Sequence, residues 1–132
     1  MLLMGASSPM IAVVIDDDAA ERSSVIEVLA RAGLAVHSVS PATAVESVRR
    51  YSPVVTVLSI DIPDIPDTDG FEIARRIRAE SATYLVVLST RSAQSDVILG
   101  YQSGADCYMT KPLRPLELRA RVEAMLRRAR RS

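Results

Sequence analysis

The chain has 132 residues, 48% hydrophobic and 24% charged, with 16 basic and 16 acidic side chains and no net charge. Such a length and composition suit one soluble globular domain with a single core, and the zero net charge argues against broad electrostatic capture of nucleic acid or membrane. The single cysteine, Cys107, excludes an internal disulfide and fits a reducing cytosol, and no run approaches the ~20 apolar residues of a membrane helix.

Residues 1–9 read as a flexible leader that lacks the basic flank and apolar run of a signal peptide, and residues 10–130 as the domain. The run Ile11-Ala-Val-Val-Ile15 is too short and too continuously apolar for an amphipathic helix, so it is expected to be a parallel strand buried on both faces. It stops at Asp16-Asp-Asp18. Val25, Ile26, Val28 and Leu29 then recur at helical spacing, with Gly33 as the C-terminal stop.

The same unit repeats along the chain. Leu34–Val39 reads as a strand, Ala42–Tyr51 as a helix, Val54–Leu58 as a strand and Phe71–Ala79 as a helix. Tyr84–Leu88 is a fourth strand, residues 95–103 a weaker helix, residues 104–109 a fifth strand, and Pro115 to about Arg130 a long last helix with Leu118, Val122, Met125 and Leu126 on one side. Strands alternating with helices imply a parallel sheet covered on both faces, because each right-handed crossover carries a helix. The expected fold is therefore α/β and flavodoxin-like: a (βα)5 three-layer sandwich with strand order 2-1-3-4-5.

In that order the first and third strands are neighbours, and ligands bind beyond the carboxyl ends of the strands. Asp16 and Asp17 follow the first strand, Ser59 and Asp61 the third, Ser89 the fourth and Lys111 the fifth, so residues distant in sequence share one cleft. Each is ordinary alone: an Asp pair can be a solvated strand end, and Ser a turn former. Lys111, however, is the one lysine among 16 basic residues. A compact ammonium in an otherwise arginine-using chain suggests a seat where a planar guanidinium does not fit.

The third strand runs into Ser59-Ile-Asp-Ile-Pro-Asp-Ile-Pro-Asp-Thr-Asp-Gly70, where the triplet Asp-Ile-Pro occurs twice, at 61–63 and 64–66. With one copy removed, the string resembles the loop after the third strand of bacterial response-regulator receiver domains. The rest of the chain carries the likeness on: Val-Ile-Asp-Asp-Asp at the start, Pro-x5-Ser in the third strand, Leu-Ser-Thr-Arg, Gly-Ala-Asp-x-Tyr-x-Thr-Lys-Pro-Leu, and Leu-Glu-Leu-Arg-Ala-Arg-Val near the end. The resemblance implies that Asp16 and Asp17 hold Mg²⁺ and that Ser89 reaches toward a phosphoryl group; Asp61, on the same strand face as Ser59, is a candidate further ligand. The resemblance also implies that Lys111 pairs with a phosphoryl oxygen, that Pro112 follows a cis bond, and that the Tyr108 rotamer reports the state to partners.

One position departs from the family pattern. Where the family has the aspartate that takes the phosphoryl group, this chain has Ser59. A carboxylate attacks phosphorus as an anion, whereas a serine hydroxyl needs a base. The site also loses a charge beside a divalent ion, and at ~4 Å and an effective dielectric of about 20 one pair is worth roughly 4 kcal/mol before desolvation. The expectation is a receiver that works without phosphorylation, with Mg²⁺ binding weakened. Asp61, two residues on and on the same face of an extended strand, stays open as a substitute acceptor.

Other acidic-loop chemistries fail on spacing. A calcium loop needs an acidic residue at 65 and at its twelfth position, which is Arg76. A haloacid-dehalogenase-like phosphatase needs Asp-x-Asp, and Ser59-Ile-Asp61 lacks the nucleophile. The chain is therefore not expected to be an enzyme.

The closing segment looks most like receivers that carry a winged-helix DNA-binding domain after this helix. That likeness implies a cytoplasmic protein with a sensor histidine kinase or another protein as partner, no membrane contact, and DNA contact only through an output domain outside these residues. It also implies a homodimer through helix four, strand five and helix five, with Asp106, Glu117 and Arg121 in a charge network. Val97, Gln102 and Glu123 interrupt that network, so a more hydrophobic interface using Val97 and Tyr101 is expected.

Overall fold

The computed structural model describes residues 10–61 and 70–131. The expected leader and most of the duplicated loop lie outside the described residues. Five strands are present: β1 (Ile11–Ile15), β2 (Ala35–Val39), β3 (Val55–Ser59), β4 (Tyr84–Ser89) and β5 (Cys107–Thr110). They form one parallel sheet in the order β2-β1-β3-β4-β5, as the alternation of elements predicts. The helices are α1 (Ala19–Arg31), α2 (Ala44–Tyr51), α3 (Gly70–Glu80), α4 (Gln94–Gln102) and α5 (Pro115–Arg131).

Strand residues divide by parity between two apolar layers. Ala12, Val14, Val55, Val57, Val86 and Leu88 face Val25 and Leu29 of α1 and Leu118 and Val122 of α5. Val13, Ile15, Leu58, Leu85 and Val87 face Val48 of α2 and Phe71, Ile73 and Ile77 of α3. Burial on both faces explains why these strands read as continuous apolar runs rather than alternating ones. At about 1.5–3 kcal/mol per fully buried large aliphatic side chain, these layers supply the gross stabilisation of the sheet. Within them the polar pair Thr56 and Thr83 is satisfied by a hydroxyl contact of 3.0 Å.

Two expectations are corrected. The fifth strand begins at Cys107, not Gly104, because residues 104–106 form a turn: Gly104 has φ 119°, and its carbonyl accepts from Arg78 Nε at 3.1 Å. The second helix begins at Ala44, because Pro41–Thr43 is a separate 3-10 turn started by the proline. Ser59 and Ser89 end β3 and β4, so their hydroxyls are fixed by the sheet.

Helix α1 is placed by its ends. Asp18 caps it by accepting from the Glu21 amide at 2.9 Å, and Gly33, with φ 91°, lets the chain reverse into β2.

Candidate functional site

Sheet register builds the site. Ile15 pairs with Leu58 across β1 and β3, Ser59 with Leu88 across β3 and β4, and Ser89 with Thr110 across β4 and β5. The next residues along each strand therefore meet at one edge: Asp16, Ser59, Asp61, Ser89 and Lys111. Two further amide bonds extend the ladder there, Ile60 to Leu88 and Lys111 to Ser89. The Lys111–Pro112 peptide is cis, as the resemblance implies.

Lys111 is the hub. Its ammonium donates to Ser59 Oγ at 2.7 Å, lies 3.2 Å from Glu21 Oε2 and 3.5 Å from Asp61 Oδ2. Its side chain is 15% exposed, so these contacts are only partly screened.

Asp61 turns both oxygens toward the β4 end. The Ser89 hydroxyl donates to Oδ1 at 3.0 Å, and the Thr90 amide donates to Oδ2 at 2.6 Å. Burial pushes this carboxyl up, but the Thr90 amide, the Ser89 hydroxyl and the Lys111 charge outweigh it and hold the group below the ordinary carboxylate range. Asp61 is thus an anion with donors on both oxygens.

Asp16 is in the opposite condition. One oxygen accepts the Asp18 amide at 2.9 Å. The other is buried without a hydrogen-bond partner, as is Glu21 Oε2. Burial first, and then the facing Glu21 carboxyl, push Asp16 up to about 7. At neutral pH the pair carries a proton for part of the time.

Mg²⁺ asks for near-octahedral oxygen ligands. Asp16 Oδ2, which lacks a hydrogen-bond partner, is an available donor, whereas Glu21 Oε2 is ion-paired with Lys111 at 3.2 Å. The remainder of the set does not fit: Asp61 is engaged by Ser89 and Thr90, Asp17 is exposed, and neutral Ser59 accepts from an ammonium. Among the described residues no group of three or more His, Cys, Asp or Glu is arranged to hold a metal.

From Ser89 a line of bonds runs to the surface. Ser89 Oγ accepts the Arg91 amide at 3.0 Å, the Tyr108 hydroxyl donates to the Arg91 carbonyl at 2.7 Å, and the Tyr108 amide donates to Tyr101 Oη at 3.2 Å. The Tyr108 ring is turned inward, 9% exposed. It lies against Gly100, where a Cβ would overlap the ring edge.

Glu21, Thr90 and Arg91 are site residues that sequence reasoning misses. Glu21 is legible in one respect, since Asp18-x-x-Glu21 has capping-box spacing. In a capping box the glutamate returns to the cap amide, but here the Asp18 amide is taken by Asp16, which lets Glu21 turn into the cleft. Thr90 and Arg91 lie in the Leu-Ser-Thr-Arg motif, but their backbone contacts to Asp61 and Ser89 carry no residue-type signal.

Of the expected dimer face, Tyr101 is 47% exposed and Val97 packs against the α3-side core. Asp106 is paired within the chain, at 2.6 Å from Arg78 and 2.8 Å from the Leu85 amide. Glu117 lies 3.6 Å from Arg121. A separate groove of about 740 Å³, lined by Arg49, Glu80, Tyr84, Asp106 and Arg128, shares no residue with the Lys111 cleft. Among the described residues no helix is long and apolar enough to cross a membrane.

The sequence model of the response regulator receiver domain family matches residues 12–123. The chain is 37% identical over 116 residues to the DNA-binding response regulator MtrA of Mycolicibacterium paratuberculosis, covering 87% of this chain and 50% of that protein. It is 38% identical over 121 residues to the transcriptional regulatory protein AfsQ1 of Streptomyces coelicolor, covering 89% and 51%. The chain thus spans about half the length of the curated relatives it matches. A CheY-like response regulator receiver domain protein from Methanospirillum hungatei superposes with TM-score 0.80 at 18% identity, over 95% of this chain and 100% of that one, which speaks to the fold alone.

Proposed function

The chain belongs to the response regulator receiver domain family, and from that membership we propose that it is a signalling receiver that works without phosphorylation. The observation that carries this reading is the contact of Lys111 Nζ with Ser59 Oγ at 2.7 Å. The acceptor seat holds a neutral hydroxyl that accepts a hydrogen bond from a cation, and the nearest carboxylates are committed elsewhere. Asp61 is bound by Ser89 and Thr90, and Asp16 and Glu21 face one another. Among the described residues no group beside Ser59 is placed to take its proton, so nucleophilic attack by that oxygen lacks the base it needs.

Its role in this reading is that of a binding module, not an enzyme. Relatives such as MtrA and AfsQ1 are DNA-binding or transcriptional regulators by name. By analogy the module passes its state to a DNA-binding output domain beyond these residues and receives it from a sensor histidine kinase or another protein partner, in the cytoplasm. Mg²⁺ is at most weakly held, by Asp16. A homodimer through α4, β5 and α5 is supported by Ile98, Leu99 and Tyr101, exposed at 48%, 38% and 47%. These three are among the five large hydrophobics exposed in the described residues.

The test is intact mass after incubation with acetyl phosphate and Mg²⁺. No adduct on the parent, with one on Ser59→Asp/Asp61→Ala, which restores the acceptor and frees the Ser89 and Thr90 donors, supports the reading. A hydroxylamine-labile adduct on the parent that is lost in Asp61→Asn overturns it and makes Asp61 the acceptor.

A further inference from the structure

The Asp61 carboxylate receives three donors of different kinds: a hydroxyl from Ser89 at 3.0 Å, a backbone amide from Thr90 at 2.6 Å and the Lys111 ammonium at 3.5 Å. A hydroxyl, an amide and an ammonium converging on one point form a receptor for an oxyanion. Here the oxyanion belongs to the chain itself.

We propose that Asp61 is the built-in ligand of an oxyanion pocket made by Ser89, Thr90 and Lys111, and that its occupancy shuts out phosphate while holding the Tyr108–Tyr101 face in one arrangement. The proposal deepens, and rests on, the reading of the chain as a phosphorylation-independent receiver.

Two features favour occupancy in cis over a free anion. Asp61 is two residues past the end of β3, and the intervening Ile60 amide is fixed to the Leu88 carbonyl at 3.0 Å. The carboxylate is therefore delivered by the sheet at high effective concentration, with little freedom left to lose. The carboxylate also meets a donor on each of its two oxygens there.

Occupancy has a consequence at the surface. With Ser89 drawn to Asp61, its oxygen also fixes the Arg91 amide, and the Arg91 carbonyl is positioned to accept the Tyr108 hydroxyl. The Tyr108 amide in turn holds Tyr101 on the exposed side of α4. A ligand shifts a conformational equilibrium only through contacts that differ between states. Asp61 supplies those contacts permanently.

The deciding experiment is an ¹⁵N–¹H NMR titration with inorganic phosphate of the parent, Asp61→Ala and Asp61→Ala/Lys111→Ala. In the parent, the Thr90 amide proton is expected far downfield and unmoved by phosphate. In Asp61→Ala it moves upfield together with Arg91 and Tyr108, and phosphate returns all three with at least tenfold higher affinity than the parent shows, about 1.4 kcal/mol. Removal of Lys111 abolishes the return. Phosphate titrating the parent like the variant, or Asp61→Ala leaving Thr90, Arg91 and Tyr108 in place, overturns the proposal. Should Asp61→Ala not fold, Asp61→Asn keeps the size without the charge: an upfield Thr90 supports the proposal and an unmoved one overturns it. Phosphate binding involves no bond formation, so the result is separable from the acetyl phosphate test of phosphorylation independence.

Discussion

Lys111 donates to Ser59 at 2.7 Å while lying 3.2 Å from Glu21, so one ammonium joins the end of β3 to the first turn of α1. Its loss leaves Glu21 Oε2 buried and without a counter-charge. Lys111→Met is expected to lower the unfolding free energy by about 3 kcal/mol, the lower end of the range for breaking a buried pair. Lys111→Arg is not expected to restore it, because a planar guanidinium presents its donors differently. Urea denaturation of the three proteins checks both statements, and a loss within about 0.5 kcal/mol would count against them.

Restoring a carboxylate at residue 59 should change metal binding as well as chemistry. Ser59→Asp adds a charge beside the two oxygens of Asp16 and Glu21 that lack hydrogen bonds. Mg²⁺ affinity is expected to rise at least tenfold over the parent, a modest share of the roughly 4 kcal/mol that one nearby charge pair is worth before desolvation. Isothermal titration with MgCl₂ at fixed ionic strength measures it. Equal affinities would mean that Lys111 simply takes up the new charge.

Gly100 lies in α4 against the inward Tyr108 ring, with no room for a Cβ. Gly100→Ala at an exposed helix position would gain up to about 1 kcal/mol of propensity, but Gly100 is buried. Overlap with the ring reverses the sign, and a net loss of about 1–2 kcal/mol is expected with Tyr108 turned outward. Its hydroxyl then leaves the Arg91 carbonyl, which NMR ring and amide shifts detect. A stabilised variant with Tyr108 unmoved would refute the close packing.

The Asp16 carboxyl is pushed up to about 7 by burial and by Glu21, whereas in the unfolded chain it titrates near ~3.9. Between those values the folded state binds more protons, so this group's contribution is complete below about pH 4 and is lost as pH rises through about 7. A tenfold difference in proton affinity between the folded and unfolded chain is worth about 1.4 kcal/mol. Asp61 has the reverse sign: its carboxyl is held low, and its contribution is lost as pH falls below the ordinary carboxylate range. Urea unfolding in EDTA from about pH 5 to 8 is expected to show declining stability in the parent and a flatter profile in Asp16→Asn. Identical slopes would exclude Asp16 as the source.

On α4, Ile98 and Tyr101 are about half exposed, and Leu99 is 38% exposed. A dimer on this face should dissociate in Ile98→Asp and Leu99→Asp, because a charge desolvated in an apolar contact goes unpaired. Light scattering after size exclusion measures the mass. A monomeric parent at high concentration would dispose of the α4–β5–α5 interface.

The layers and the membership of the cleft are legible in the order of residues alone. Continuous β-branched runs have few options besides a two-sided parallel sheet, and the strand order then brings Asp16, Ser59, Ser89 and Lys111 to one edge whatever their side chains do. Element ends are less legible: a proline at 41 and a left-handed glycine at 104 move two of them by a few residues. The choice of partners belongs to the folded chain. Glu21 enters the cleft because Asp16 takes the cap amide that Glu21 would otherwise use, and Asp61 turns to Ser89 and Thr90 rather than to the Ser59 seat. A sequence records which donors and acceptors reach an edge. Which of them pair depends on distances and burial that exist only once the strands are in register.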